Sequence, residues 1–265
     1  MLAVTGPPRR LYALRFGWEP VPEAVSLRGG SKDVYLFEPV TGAAVEYDDG
    51  WVLIDTGLNP DILRDPALRA AHYVKAAVGC VPEGDPLLRQ IDAAGLALAD
   101  LKGCVLSHLH CDHGGGLRHL EGGPPIVIQA REHAFAMDEA TLEHCYFKSD
   151  YDRPGLRWRL IEGEVELAAG LRTIPTFGHT PGHQSIAVEL PVGGTVVLAC
   201  DAADLRRNID ALIPCGELTH PHLAAAAARS IERLHALDRQ PRTEVWPGHD
   251  PDFWATRLAP PAAYG

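Results

Sequence analysis

Ser107-His-Leu-His-Cys-Asp-His-Gly-Gly-Gly116 holds the densest chemistry in the chain. His108, His110, Asp112 and His113 put four metal-binding side chains into six residues. Imidazole mixed with carboxylate is a donor set that borderline divalent cations such as zinc accept. Side chains in extended backbone repeat their direction every two residues, so His108 and His110 point the same way from a strand-to-loop segment. Asp112 and His113 lie past the strand, where a turning backbone aims them at a neighbouring point. Two adjacent cations suit that pattern better than one closed structural site. The bland alternative is a surface histidine cluster.

Three further positions add to the set. His179 lies in the Gly/Pro loop Phe177-Gly-His-Thr-Pro-Gly-His-Gln-Ser185, Asp201 follows the apolar run Val196-Val-Leu-Ala-Cys200, and His249 lies in Trp246-Pro-Gly-His-Asp250. Each follows an apolar strand, where loops converge. Alone, any of them reads more simply as a capping or satisfied polar residue. Together with the first cluster they make five histidines and two aspartates, enough for two ions. Asp55, ending the Trp-Val-Leu-Ile strand, is equally well a turn former or a partner behind a ligand. His183 reads as a loop-stabilising partner and Cys111 as a small packing residue. His72, His119, His133, His144, His220, His222 and His235 carry no motif.

The elements that must position these residues follow from pattern. Strands are expected at Arg10–Phe16, Val34–Phe37, Ala43–Tyr47, Trp51–Ile54 and Ile126–Gln129, with a loop over 17–33 and a hairpin turn at Asp48-Asp49-Gly50. Leu98–Leu101 leads into the strand before the motif. Residues 60–84 are irregular, with one short helix and a flap. Helices are expected at Pro86–Ala94, stopped by Gly95, and at Arg131–Met137. The three glycines after His113 turn the chain sharply and start a helix at Leu117. The second half repeats the strand pattern at Arg157–Ile161, Val165–Leu167, Leu171–Ile174, Ser185–Leu190, Thr195–Ala199 and Thr243–Trp246. A helix His222–Leu237 presents Leu223, Ala227, Ile231 and Leu234 on one stripe, and Pro260 onward is a tail. Two strand-rich halves, each followed by helices, predict two sheets face to face with helices outside, in a single domain over residues 1–265. Tyr146, Phe147, Tyr151 and Trp158 are the best sequence candidates for a substrate wall, although such stretches more often cover core.

Composition narrows the function. A net charge of −11 argues against nucleic-acid binding by phosphate neutralisation. No apolar run reaches the eighteen or so residues a bilayer needs, and Met1–Arg10 has no signal core. Six cysteines without a CxxC pair read as reduced thiols in a cytoplasmic protein.

These motifs resemble the metallo-β-lactamase superfamily, whose fold is an αββα sandwich, and within it the N-acyl-homoserine lactonase family. The resemblance rests on Val52-Leu-Ile-Asp-Thr-Gly57, the 107–113 motif, Ile161-Glu-Gly163, His179-Thr-Pro-Gly-His-Gln-Ser185, Asp201-Ala202 and Gly248-His-Asp250. It implies that His108, His110 and His179 bind one ion, that Asp112, His113 and His249 bind the other, and that Asp201 bridges them. The ions expected are two divalent metals, as zinc. One departure stands out: many of these lactonases carry tyrosine three positions after the bridging aspartate, to hold the substrate carbonyl. Here that position is Asp204, with Tyr146 or Tyr151 as candidate substitutes.

The resemblance implies a metal-dependent hydrolase that opens a lactone ring with a water activated by the ions, on N-acyl-homoserine lactones, as in quorum quenching. Asp112 would also deliver a proton to the leaving oxygen. The alternative is a hydrolase of the same fold acting on another lactone, a thioester or a β-lactam. A metal-bound redox protein is a third reading; in this superfamily it adds a flavodoxin-like domain, for which the length leaves no room. The expected partners are a small lactone or ester substrate and at most a second copy of the chain in a homodimer, with no nucleic acid and no membrane.

Overall fold

A computed structural model describes residues 1–74, 77–138 and 145–265. His144, and parts of the 60–84 and 140–158 stretches discussed above, lie outside those residues. Eleven strands among the described residues form two sheets. The first runs β1 (Arg10–Pro22), β2 (Tyr35–Glu46), β3 (Trp51–Ile54), β4 (Leu101–Val105), β5 (Pro125–Gln129) and β6 (Arg157–Ile161), each paired with the next. The second is ordered β11 (Thr243–Pro247), β10 (Gly194–Cys200), β9 (Gln184–Leu190), β8 (Leu171–Pro175) and β7 (Glu166–Ala168). Both sheets are mixed: β3 to β6 pair in parallel, and so do β10 and β11.

Strand periodicity builds the layers. In β3, Val52 and Ile54 join the apolar cluster between the sheets with Leu11, Val105, Ile186, Leu198 and Trp246. Trp51 and Leu53 face the opposite way, onto Leu87 and Ile91 of the helix Pro86–Ala93. Strands buried on both faces are apolar throughout. The outer face of the second sheet packs Val197, Ala199 and Val245 against Ile231 and Leu234 of the helix Ala224–Asp238, whose buried side chains contribute about 1.5–3 kcal/mol each. The result is helix, sheet, sheet, helix: an αββα sandwich. No helix of the described residues is long and apolar enough to cross a membrane.

Several sequence expectations need correction. β1 does not stop at Phe16; it runs on through Glu19 to Pro22 and pairs with one continuous β2, so residues 34–47 are not two strands. Pro20 and Pro22 hid it, but β1 is an edge strand, where a missing N–H is tolerated. β6 belongs to the first sheet, beside β5, rather than to the second-half set. Among the described residues, the 60–84 stretch has two short helices, Pro60–Arg64 and Pro66–His72. Short helices at Arg206–Ala211 and Pro251–Ala255 went unread. The long helix begins at Ala224, after a tight turn at Pro221–Leu223. The C-terminal stretch is no free tail: Leu11 and Tyr264 exchange backbone hydrogen bonds, and the Tyr264 ring packs on Trp246. The motif loop forms one turn, Cys111–Gly114, then a tight turn Leu117–Leu120. A Cβ on Gly115 would lie 2.3 Å from the Asn59 nitrogen, so only glycine lets these loops touch.

Under that contact Asn59 donates from Nδ2 to Asp150 Oδ1 at 2.6 Å, while Asp150 Oδ2 is buried without a partner. Burial pushes the Asp150 carboxyl up to about 7. Its folded-state value exceeds the unfolded value of about 4, so the unfolded chain loses its proton first as pH rises. The protonated group's contribution is whole below about pH 4 and is lost by about pH 7. Asp150→Asn keeps the shape and removes the titration. Thermal melts are expected to show the variant gaining on the parent by several degrees between pH 5 and pH 8. A pH-independent gap would contradict this.

Candidate metal centre

All seven residues singled out by sequence converge at one edge of the sandwich, where loops from both sheets meet. They form two buried groups: His108, His110, His179 and Asp201, and Asp112, His113, Asp201 and His249. Within each group the candidate donor atoms lie within 4.8 Å of one another. Asp201 belongs to both. Its Oδ1 lies 3.0 Å from His113 Nε2 and 3.0 Å from His249 Nε2. Its Oδ2 lies 3.3 Å from His179 Nε2 and 3.6 Å from His108 Nε2. Asp112 Oδ2 completes the second group, 3.1 Å from His113 Nε2.

The imidazoles are aimed from behind. Nδ1 of His113 donates to Asp55 Oδ2 at 2.9 Å, Nδ1 of His249 to the Pro39 carbonyl at 2.9 Å, and Nδ1 of His179 to the Glu217 carbonyl at 3.2 Å. Nδ1 of His108 meets the Ser107 hydroxyl at 2.9 Å. A proton on Nδ1 leaves the Nε2 lone pair free for the centre. His110 instead turns Nδ1 inward, 3.0 Å from His179 Nε2. Asp201 is fixed from behind as well: its backbone N–H donates to His183 Nε2 at 3.1 Å. Nδ1 of His183 lies 3.1 Å from the Thr176 carbonyl, and burial holds this imidazole down near 3, so it stays a neutral acceptor. Both supporting strands end in left-handed backbone, φ 56° at Asp55 and 48° at Cys200, which bends the chain toward the site.

The electrostatics suit cations. Burial holds His108 and His110 well below the ordinary imidazole range, in the neutral form that ligates. Burial also opposes charge on His113 and His249, but the carboxylates around them outweigh it and raise both, Asp112 and Asp201 for His113, Asp201 and then Asp204 for His249. The Nε2 atom of His108 is buried with no hydrogen-bond partner. An orphaned lone pair there, and carboxylates crowded around His113 and His249, are costly without a positive charge between them. The residues therefore fit divalent metal ions.

A cavity of about 270 Å³ opens onto these groups. Its apolar side comes from Val21, Pro22, Val25 and Ala77, and its acidic side from Glu19, Glu38 and Asp204. The aromatic wall expected from residues 146–158 is not there: Tyr146, Phe147 and Tyr151 are buried in the core, and Trp158 packs against it. Neither tyrosine stands in at the Asp204 position. Tyr146 donates to Glu132 at 2.6 Å and Tyr151 to the Ala136 carbonyl at 3.0 Å. Asp204 is 5% exposed, and its Oδ1 has no partner. Burial raises the carboxyl of Asp204 well above its usual range and that of Glu38 to about 7. Glu19 and Glu38 join the cavity without a sequence signal, because a lone acid in a strand resembles a solvated position. His72, His119 and His235 bond elsewhere, to Leu68, Asp85 and Ile209.

The family model described as the metallo-beta-lactamase superfamily matches residues 35–249. An N-acyl homoserine lactonase, AttM, of Azorhizobium caulinodans is 31% identical over 236 residues, covering 85% of this chain and 87% of that one. The N-acyl homoserine lactonase AiiA of Bacillus thuringiensis subsp. kurstaki is 30% identical over 213 residues, covering 80% and 81%. A crystal structure of a B. thuringiensis AiiA mutant with N-decanoyl-L-homoserine at its active site superposes with a TM-score of 0.85 at 26% identity, covering 98% of this chain and 100% of that one.

The Asp55–His113 contact generates a test. In Asp55→Asn the amide can donate to Nδ1, which moves the imidazole proton to Nε2 and removes the inward lone pair. Chelator competition is expected to show metal affinity falling about 10–100-fold. Parent-like affinity would mean that Asp55 does not set the tautomer.

Proposed function

This chain belongs to the metallo-beta-lactamase superfamily and, within it, to the N-acyl homoserine lactonase family, and from that membership we propose that it is a two-zinc hydrolase opening the ring of N-acyl homoserine lactones. The observation that carries the reading is Asp201, which turns one carboxylate oxygen to each group. A carboxylate so placed offsets the repulsion between two cations and fixes their spacing. His108, His110 and His179 would complete one site, and Asp112, His113 and His249 the other. Metal ions held there supply Lewis acidity, polarising an ester carbonyl and lowering the pKa of a water toward neutrality.

The chain's own groups do the rest. Asp55, Pro39 and the Glu217 carbonyl keep imidazole lone pairs aimed inward. In this reading Asp112 takes the proton released by the attacking water and hands it to the ring oxygen as the bond from that oxygen to the acyl carbon breaks. Burial raises the Cys111 and Cys145 thiols that border the cavity, so neither is a ready nucleophile. Val21, Pro22, Val25 and Ala77 offer the acyl chain an apolar wall, and Asp204 replaces a phenol grip with a carboxyl. We read residues 1–265 as one catalytic domain acting in the cytoplasm, where its free cysteines stay reduced.

Elemental analysis of protein purified without added metal is expected to give about two ions per chain. A value near zero, with no activity gained on adding zinc, cobalt or manganese, refutes the reading. Asp201→Asn is expected to lose one ion and at least about a hundredfold in kcat, the scale of removing a main electrostatic element. The substrate is tested by proton release from short- and long-chain homoserine lactones beside a simple γ-lactone, a thioester and a β-lactam. We expect kcat/KM to rise with acyl length at up to about 0.8 kcal/mol per buried methylene. Turnover of the thioester or β-lactam alone would leave the metal site and overturn the substrate; equal rates on the simple lactone would overturn the preference for the acyl signal.

A further inference from the structure

Glu132 is fully buried in the helix Ala130–Met137 that follows β5, and its four hydrogen-bond partners include no candidate ligand. It accepts four hydrogen bonds. Oε1 takes the Tyr146 hydroxyl at 2.6 Å and the Leu109 backbone N–H at 3.3 Å. Oε2 takes the Thr180 hydroxyl at 2.7 Å and the Gly182 backbone N–H at 3.0 Å. Leu109 lies between His108 and His110, and Thr180 follows His179. Tyr146 adds a third tie, its ring packing edge-on to His110 at 4.7 Å between centroids. One carboxylate thus joins the two loops that carry all three histidines of the first group, from opposite sheets. The approach is tight: a Cβ on Gly182 would lie 2.4 Å from the Glu132 nitrogen.

We propose that Glu132 is a positioning residue for the first metal site, holding the His108–His110 loop and the His179 loop at the separation that lets their nitrogens share one cation. This rests on the two-metal reading above. Each carboxylate oxygen pairs one hydroxyl, which can rotate to become an acceptor, with one backbone N–H, which cannot. Glu132→Gln preserves volume and packing, but its NH₂ must face Leu109 N–H or Gly182 N–H. Two donors then oppose each other, and one loop is pushed away. The second group, Asp112, His113 and His249, has no contact with Glu132 and keeps its geometry.

The test measures metal binding rather than turnover. Parent and Glu132→Gln are loaded with cobalt(II), titrated with a competing chelator, and followed by visible absorption and by metal per chain. The parent is expected to hold two ions. The variant is expected to hold one ion as the parent does and the other at least about tenfold more weakly, with loss of the absorption belonging to that site. If Glu132 only stabilises the fold, melting of the metal-free protein shifts but both ions bind as in the parent, and the proposal is overturned. A parent that binds no ion fails the two-metal reading itself and removes the basis of this inference. Should Glu132→Gln not fold, Thr180→Val strips a single donor from Oε2. It is expected to weaken the same one ion by a smaller factor, and unchanged affinity for both would equally overturn the proposal.

Discussion

Everything at this edge of the molecule depends on one carboxylate lying within hydrogen-bond reach of imidazoles from two directions. Asp201 sits at the end of β10, and its oxygens face His113 and His249 on one side and His179 and His108 on the other. No single loop could supply that set, because an imidazole reaches only a few ångströms from its Cα. The constraint is met by stacking two sheets so that the loop after β4 delivers four of the donors and the ends of β8, β10 and β11 the other three. The apolar interior between the sheets, from Leu11 to Trp246, is what holds those strand ends opposite each other.

Behind the inward-facing atoms lies a second set of contacts, backbone and side chain together. Carbonyls of Pro39 and Glu217 orient His249 and His179, and the Asp201 N–H is caught by His183. Backbone partners cannot titrate or rotate away, so the acceptor they present to Nδ1 is the same at every pH. Side chains do the rest: the Ser107 hydroxyl meets His108, the His183 imidazole holds Asp201, and Asp55 and Glu132 are buried acids that act at ligand loops. A buried acid costs free energy to place, which is tolerable where it accepts several donors at once.

How much of this was legible in the sequence follows from how local each signal is. The 108–113 cluster is local in the chain and needed no fold to be seen. His179, Asp201 and His249 were found because each follows an apolar strand, a signal only a few residues long. Trp51–Ile54 and the Leu223-to-Leu234 stripe were readable for the same reason. The far end of β1 was not, because Pro20 and Pro22 argue against a strand until its edge position is known. The membership of β6 in the first sheet is a pairing between distant segments, which no window of sequence contains. Glu132 in a helix and Glu19 and Glu38 in strands gave no sign, since a lone acid usually marks a solvated face. The aromatic stretch after Tyr146 misled for the opposite reason: its side chains serve packing, and the cavity wall comes from Val21, Pro22 and Val25 instead.

Each candidate metal group draws donors from both sheets, and neither sheet alone holds a complete set. Closing the sandwich and assembling the donors are therefore one event, governed by one equilibrium. Any cation that prefers the assembled donors adds its binding free energy to the docking of the sheets. The folded fraction of the protein then becomes a function of the metal supply around it. A cell short of that metal would lose the enzyme to proteolysis as well as to inactivity.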